Sequence, residues 1–233
     1  MRTIVIIILA FLFMMSGCSV IRKTPKTSFA DGYYIQKNKD KVYIDVEDEV
    51  VRVHKTVLVN NKLAVDTTKS IELYKQTSTN EKAKNITFSK RSFDVDFLTM
   101  PLKYRPKQNN IPAQLNTNLN GAIYAGFRTD KFDITYNKSE LHKLERVINH
   151  YGFSFGVFTG LGNTAVNATT TNNLLITDYD GLVWIKGIAG IVAINTVTVG
   201  VSLGFDNLID SNNNKWIYEN KPWFGLAFGL NLN

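Results

Sequence analysis

Apolar and polar positions alternate along most of the chain, and the kind of residue that fills the second face changes midway. In the earlier part, Val42, Ile44 and Val46 alternate with Tyr43, Asp45 and Glu47, and Val51 and Val53 with Arg52 and His54. A period of two with one charged face is the pattern of half-buried strands wetted on one side. Asn60-Asn61 and Asp66-Thr67 read as turns between such runs. Further on, Phe224, Leu226, Phe228, Leu230 and Leu232 alternate with Gly225, Ala227, Gly229, Asn231 and Asn233. Val197, Val199, Val201, Leu203 and Phe205 stand against Thr198, Gly200, Ser202, Gly204 and Asp206 in the same way. Tyr151, Phe153, Phe155 and Val157 oppose Gly152, Ser154 and Gly156, while Phe93, Val95 and Phe97 oppose Asp94 and Asp96. Leu115, Leu119, Ile123 and Phe127 face away from Asn116, Asn118, Asn120 and Tyr124.

Glycine inside a strand costs about 0.5–1 kcal/mol and packs nothing, so a soluble sandwich places Lys, Glu or Thr on its outer face instead. Residues 150–233 hold 8 of the 47 charged residues but 11 of the 15 glycines. That composition resembles small outer-membrane β-barrels, whose inward positions are small or polar and whose outward positions meet lipid. The resemblance implies an all-β chain: a small antiparallel up-and-down barrel of about eight strands, preceded by a short β-rich region. Strands are expected near 92–103, 115–128, 131–137, 148–161, 173–178, 182–195, 197–206 and 222–233, with an edge or bulge at Pro101. Asp94, Asp96, Asn116, Asn118, Asn120, Tyr124, Gly152, Ser154, Gly200, Ser202, Gly225 and Gly229 are the candidate lumen-facing residues. Phe153, Phe155, Val199, Val201, Leu203, Phe224, Leu226, Phe228 and Leu230 are the candidate lipid-facing ones. Trp184, Trp216, Tyr218 and Trp223 fall near expected strand ends, where aromatic girdles sit.

The first residues carry a second signal. Met1-Arg2-Thr3 gives a positive start, and Ile4 to Phe13 is an apolar run too short to span a bilayer as a helix, which takes about 20 residues. Met15-Ser16-Gly17-Cys18 follows, and this segment resembles the lipobox of bacterial lipoproteins. The resemblance implies cleavage after residue 17, diacylglycerol on the Cys18 sulfur and usually a third acyl chain on the new amino terminus. Ser19 in place of Asp implies sorting to the outer membrane. The expected organisation is a signal peptide at 1–17, a tether at 18–28, a charged β-rich region at 29–90 and the barrel at 91–233.

Chemistry beyond lipid attachment finds little footing. Cys18 is the chain's single cysteine, which excludes an internal disulfide. The net charge of +7 comes from scattered lysines without a basic-aromatic stripe, so nucleic acid is not an expected partner. Gly152-Phe153-Ser154-Phe155-Gly156 fits G-x-S-x-G, but His150 is the last histidine, and no base follows Ser154 in the order that hydrolase family uses. Gly160-Leu161-Gly162-Asn163-Thr164-Ala165 fits a dinucleotide fingerprint but runs into Asn/Thr-rich loop composition where a helix is required. Asp45, Glu47, Asp48 and Glu49 lack calcium-loop spacing, and His54, His142 and His150 lack metal-ligand spacing. The expectation is therefore a non-enzymatic outer-membrane lipoprotein with no cofactor and no metal, whose partner is membrane lipid, a protein partner being left open. Its role is structural, adhesive or limited passage. The runner-up is a lipid-anchored, water-soluble β module that binds a partner or hydrophobic ligand, and a membrane lipid hydrolase built on Ser154 comes last.

Overall fold

The computed structural model describes residues 29–47, 50–77, 85–108, 111–195 and 197–229. The leader, Cys18, the tether and Leu230 lie outside the described residues. The described chain is all-β and antiparallel, with twelve strands in one sheet. They are β1 (Gly32–Gln36), β2 (Lys41–Glu47), β3 (Val50–Val59), β4 (Lys62–Tyr74), β5 (Gln76–Thr77) and β6 (Ile86–Arg105). Then follow β7 (Gln114–Asn116), β8 (Asn120–Lys138), β9 (Leu144–Val166), β10 (Tyr179–Ile194), β11 (Val197–Leu208) and β12 (Pro222–Gly229).

Pairings run β12-β11-β10-β9-β8-β6-β1-β2-β3-β4, and β12 also pairs with β6. Six strands thus form a partial ring in which each pairs with the next, where eight were expected. Two differences in reading account for the count. Residues 115–128 and 131–137 belong for the most part to one strand, β8: Thr129-Asp130-Lys131 looks like a polar break, yet the ladder to β6 and β9 continues through it. Residues 173–178 form no strand; Asn172 and Asn173 take left-handed conformations with φ of 51° and 61° after a short 3-10 turn at Thr169–Thr171. Their short polar side chains make that conformation accessible.

The long strands β6, β8 and β9 outrun the ring and carry their far ends into a second group with β1 to β4. The boundary expected at residue 90 therefore falls inside β6. Beyond Tyr74 the chain bends, and β5 pairs Gln76 and Thr77 with Glu145 and Leu144 at the foot of β9. This second group packs Tyr34, Val42, Ile44, Val51, Val53, Leu73, Phe88, Phe132 and Ile134 into one apolar core. Phe29 fits its ring among those of Tyr34, Phe88 and Phe132, with centroids 5.1–5.7 Å away. A cluster of charged side chains lies on the outside: Arg52 is 2.5 Å from Glu47, 3.2 Å from Glu72 and 3.9 Å from Asp45. The Val42-to-Val53 alternation thus becomes a wet-faced β group with its own core.

Candidate functional site

Strand register builds the ring in circuits of residues that lie level with one another. Starting at Phe93, the pairings lead to Phe127, Phe155, Gly190, Val201, Leu226 and back to β6 at Leu102. A neighbouring circuit joins Val95, Ala125, Val157, Ile188, Leu203, Phe224 and Tyr104. Both circuits point outward, and their large side chains are uncovered: Phe127 is 78% exposed, Val201 65% and Phe155 53%. Phe153, Val199, Phe224, Leu226 and Phe228 are exposed on the same face, and Leu203 is half-buried there. Lys186, half-buried beside Trp184, is the one charged residue on the outward face of β10 between Leu182 and Ile194. Its ammonium lies 4.5 Å from the Trp184 ring centroid, whose indole N–H donates to Thr159 Oγ1 at 2.8 Å.

The circuit that lies between those two points inward and is of opposite composition. It joins Asp94, Gly126, Gly156, Ala189, Ser202, Gly225 and Lys103. Small residues here have a packing reason: a Cβ on Gly225 would come within 2.9 Å of the Trp223 ring, and one on Gly204 would strike that ring harder. Asp94, Asp96, Asn120, Tyr124, Gly152, Ser154, Gly200 and Ser202 are all buried in the interior, and Gly225 is half-buried there. Asn116 and Asn118 are half-buried in and after β7, at the ring's end, where β7 pairs only with the tip of β6.

The interior holds two charged groups with an apolar layer between them. Nearer the second group of strands, Arg128 Nε donates to Asp130 Oδ1 at 2.8 Å, and His150 Nε2 lies 2.7 Å from the same oxygen. The His150 ring stacks on Phe132 at 4.7 Å. Leu98, Met100, Ala122, Phe158, Ile185 and Ile191 fill the middle. At the far end, Lys103 and Arg105 both bind Asp206, and the three are almost completely buried, at 1%, 2% and 0% exposure. Trp223 Nε1 donates to Asp206 at 2.6 Å, and the Arg105 guanidinium lies 5.1 Å and 4.9 Å from the ring centroids of Trp216 and Tyr218.

That far group corrects one expectation and escaped another. Trp216, Tyr218 and Trp223 are buried inside the ring, not placed on a girdle; only Trp184 of the four is on the outer face. Lys103 and Arg105 were not singled out, because the even-inward phase of Leu98 and Met100 assigns them to the outside. The pairing of β12 skips at this point, with Leu226 opposite Leu102 but Phe228 opposite Thr99, so Pro101 falls in a bulge that reverses the phase of β6. The expected irregularity at Pro101 was itself the available signal.

The motif residues fall where no such chemistry is assembled. Ser154 is buried inside β9 and shares a 2.8 Å hydrogen bond with Tyr124, while His150 is engaged with Asp130. Gly160 to Ala165 lie within β9, without a following helix. Among the described residues no cluster of three or more His, Cys, Asp or Glu is arranged to hold a metal ion. No helix among the described residues is long and apolar enough to cross a membrane. No family model, no curated protein and no solved structure matches the chain.

Proposed function

We propose that the chain is a lipid-anchored outer-membrane protein whose six-strand ring is a small β-barrel, non-enzymatic, that holds the β1–β4 group at the membrane surface. The observation that carries this reading is the outer face of the ring, aromatic and branched apolar on every strand, around an interior that buries Asp, Lys, Arg and Gly on either side of its apolar layer. Water-soluble proteins seldom expose contiguous apolar patches beyond a few hundred Å², and this belt runs around every strand of the ring. Each circuit returns to β6 nine residues further along. Over six strands, at about 3.3 Å per residue and about 4.8 Å between strands, that offset corresponds to a tilt of roughly 45°. From Tyr151 to Leu161 the outer face of β9 then rises about 23 Å, close to the apolar height of membrane barrels.

A barrel this narrow is filled by its own side chains. Trp223, Phe158, Met100, Arg105 and Lys103 occupy the interior, which favours a structural or adhesive role over open passage. Acylation of Cys18 adds a second attachment, which the two or three chains implied by the lipobox make stable. The even strand number brings both ends of the ring to the side where the β1–β4 group lies. The deciding experiment uses the full mature sequence with Cys18→Ala behind a cleavable leader. The expected result is retention in membranes after carbonate extraction, with different gel mobility before and after boiling. Release into the soluble fraction as a folded monomer would instead establish the water-soluble β module.

A further inference from the structure

We infer that the far end of the ring interior is a binding site for an anionic group, phosphate or carboxylate in kind, held by Lys103, Arg105, Trp216 and Tyr218. The inference stands on hydrogen-bond accounting inside the ring and does not depend on what the outer face touches. A carboxylate has about four acceptor positions. Asp206 uses them all: Oδ1 accepts from Lys103 Nζ at 3.1 Å and Trp223 Nε1 at 2.6 Å, and Oδ2 accepts from Lys103 Nζ at 3.1 Å and from Arg105. Three donors remain buried with no acceptor among the described residues, namely Arg105 Nε, Trp216 Nε1 and Tyr218 Oη. They belong to one neighbourhood, since the guanidinium lies over both rings and the rings are 5.9 Å apart.

Nearby acidic residues are committed elsewhere. Glu219 accepts from Asn207 Nδ2 at 2.7 Å and the Leu208 N–H at 2.8 Å, and Asp210 accepts from Tyr179 and the Asn212 N–H. The carboxylates of Asp94 and Asp96 lie on the other side of Leu98 and Met100 along β6. Two cations thus face one carboxylate in a fully buried setting, and an uncompensated buried charge costs several kcal/mol. A water would satisfy a donor but not the charge; an anion satisfies both. Trp216 and Tyr218 belong to the segment between β11 and β12, so entry of a ligand requires that segment to move. The same chemistry is offered by a free anion and by the phosphate of an anionic lipid headgroup at the ring's rim.

The test reads tryptophan emission from the full-length protein in a Trp184→Phe background, which leaves Trp216 and Trp223 as reporters beside the site. Inorganic phosphate, sulfate and acetate are titrated at constant ionic strength into phosphatidylcholine nanodiscs, and in parallel the discs are doped with phosphatidylglycerol without added anion. A saturable change with free anion identifies a soluble ligand; a change on doping alone identifies a headgroup. Arg105→Gln is expected to weaken either response about tenfold, the value of one charge-assisted hydrogen bond. The double variant Trp216→Phe, Tyr218→Phe keeps every charge and is expected to weaken it about threefold or more for the loss of two neutral donors. It decides the matter if Arg105→Gln fails to fold. No response to any anion or to doping in the folded protein, or a response unchanged in both variants, overturns the site in favour of buried water.

Discussion

Phe127 stands directly across from Phe155 on the outward face of the ring, and one residue further along the same strands Arg128 stands across from Ser154 on the inward face. The ring of Phe93 meets Phe127 edge-on at 5.8 Å, so three phenyl groups form a patch where a water-soluble sheet would carry charge. Phe127→Arg therefore separates the two environments. In lipid, Arg near the midplane of a barrel wall costs about 2–4 kcal/mol. In water, replacing an exposed Phe falls within about ±0.5 kcal/mol. Urea unfolding in vesicles is expected to show the larger loss, with Phe155→Arg behaving alike.

Asp206 holds two buried cations and the Trp223 indole. Asp206→Asn removes the countercharge and leaves both cations in place, at an expected cost of about 3–5 kcal/mol. Trp223→Phe deletes the indole donor and part of a buried ring, and the lost hydrogen bond to a charged group accounts for about 1.5–3 kcal/mol of its expected cost. Reversal of that order in equilibrium unfolding would show that the charges are solvated and not sealed in.

Gly204 and Gly225 make room for Trp223. Gly204→Val places branched carbons where the ring lies, and overpacking of this kind costs about 1–3 kcal/mol or more. Combining Gly204→Val with Trp223→Leu is expected to recover part of the loss, because the two changes share one space. A double-mutant cycle read by thermal melting measures the recovery.

The alternation of Phe224 to Phe228 and of Val199 to Leu203 was sufficient to read the outward and inward faces, because strand side chains obey a period of two wherever the ladder is regular. It did not yield the strand count. Thr129-Asp130-Lys131 resembles a turn by composition, but Asp130 points to Arg128 and His150 inside while Lys131 leaves the apolar belt for water. Leu174-Leu175-Ile176 resembles a strand, but left-handed Asn172 and Asn173 turn it into a loop with Leu174 and Ile176 exposed. The cationic end of the interior was hidden for a different reason: a single extra residue near Pro101 exchanges the faces of Lys103 and Arg105, and only the pairing partner β12 reveals where that residue falls. The join between ring and β1–β4 was missed for another reason: the apolar residues of β6 and β8 pass from exposed odd positions at Phe93 and Phe127 to buried even ones at Phe88 and Phe132, while the ladder runs on unbroken.

The group formed by β1 to β4 has its own centre of packing at Phe29, which touches Tyr34, Phe88 and Phe132. Phe29→Ala removes a ring from that centre, and changes of this type cost about 3–5 kcal/mol. Hydrogen exchange is expected to quicken across β1 to β4 while β10 and β11, which lie wholly in the ring, keep their protection.

The same group should weaken in acid through Glu72. The Tyr74 hydroxyl and then Arg52 hold its carboxyl below the ordinary 4.5, and the Thr68 hydroxyl and N–H hold Asp66 below 3.8. A carboxylate whose folded value is depressed stabilises the fold above its unfolded value, and that contribution is lost as pH falls through the folded one. The melting temperature of β1–β4 is therefore expected to be level with respect to these two groups well above pH 4.5 and to decline as acid is added below it. Glu72→Gln cannot bind or lose a proton, so its decline should be shallower; Glu72 is exposed and Asp66 half-buried, and 1 M salt should shrink the difference between variant and parent. An identical acid limb in Glu72→Gln would assign the transition to other carboxylates.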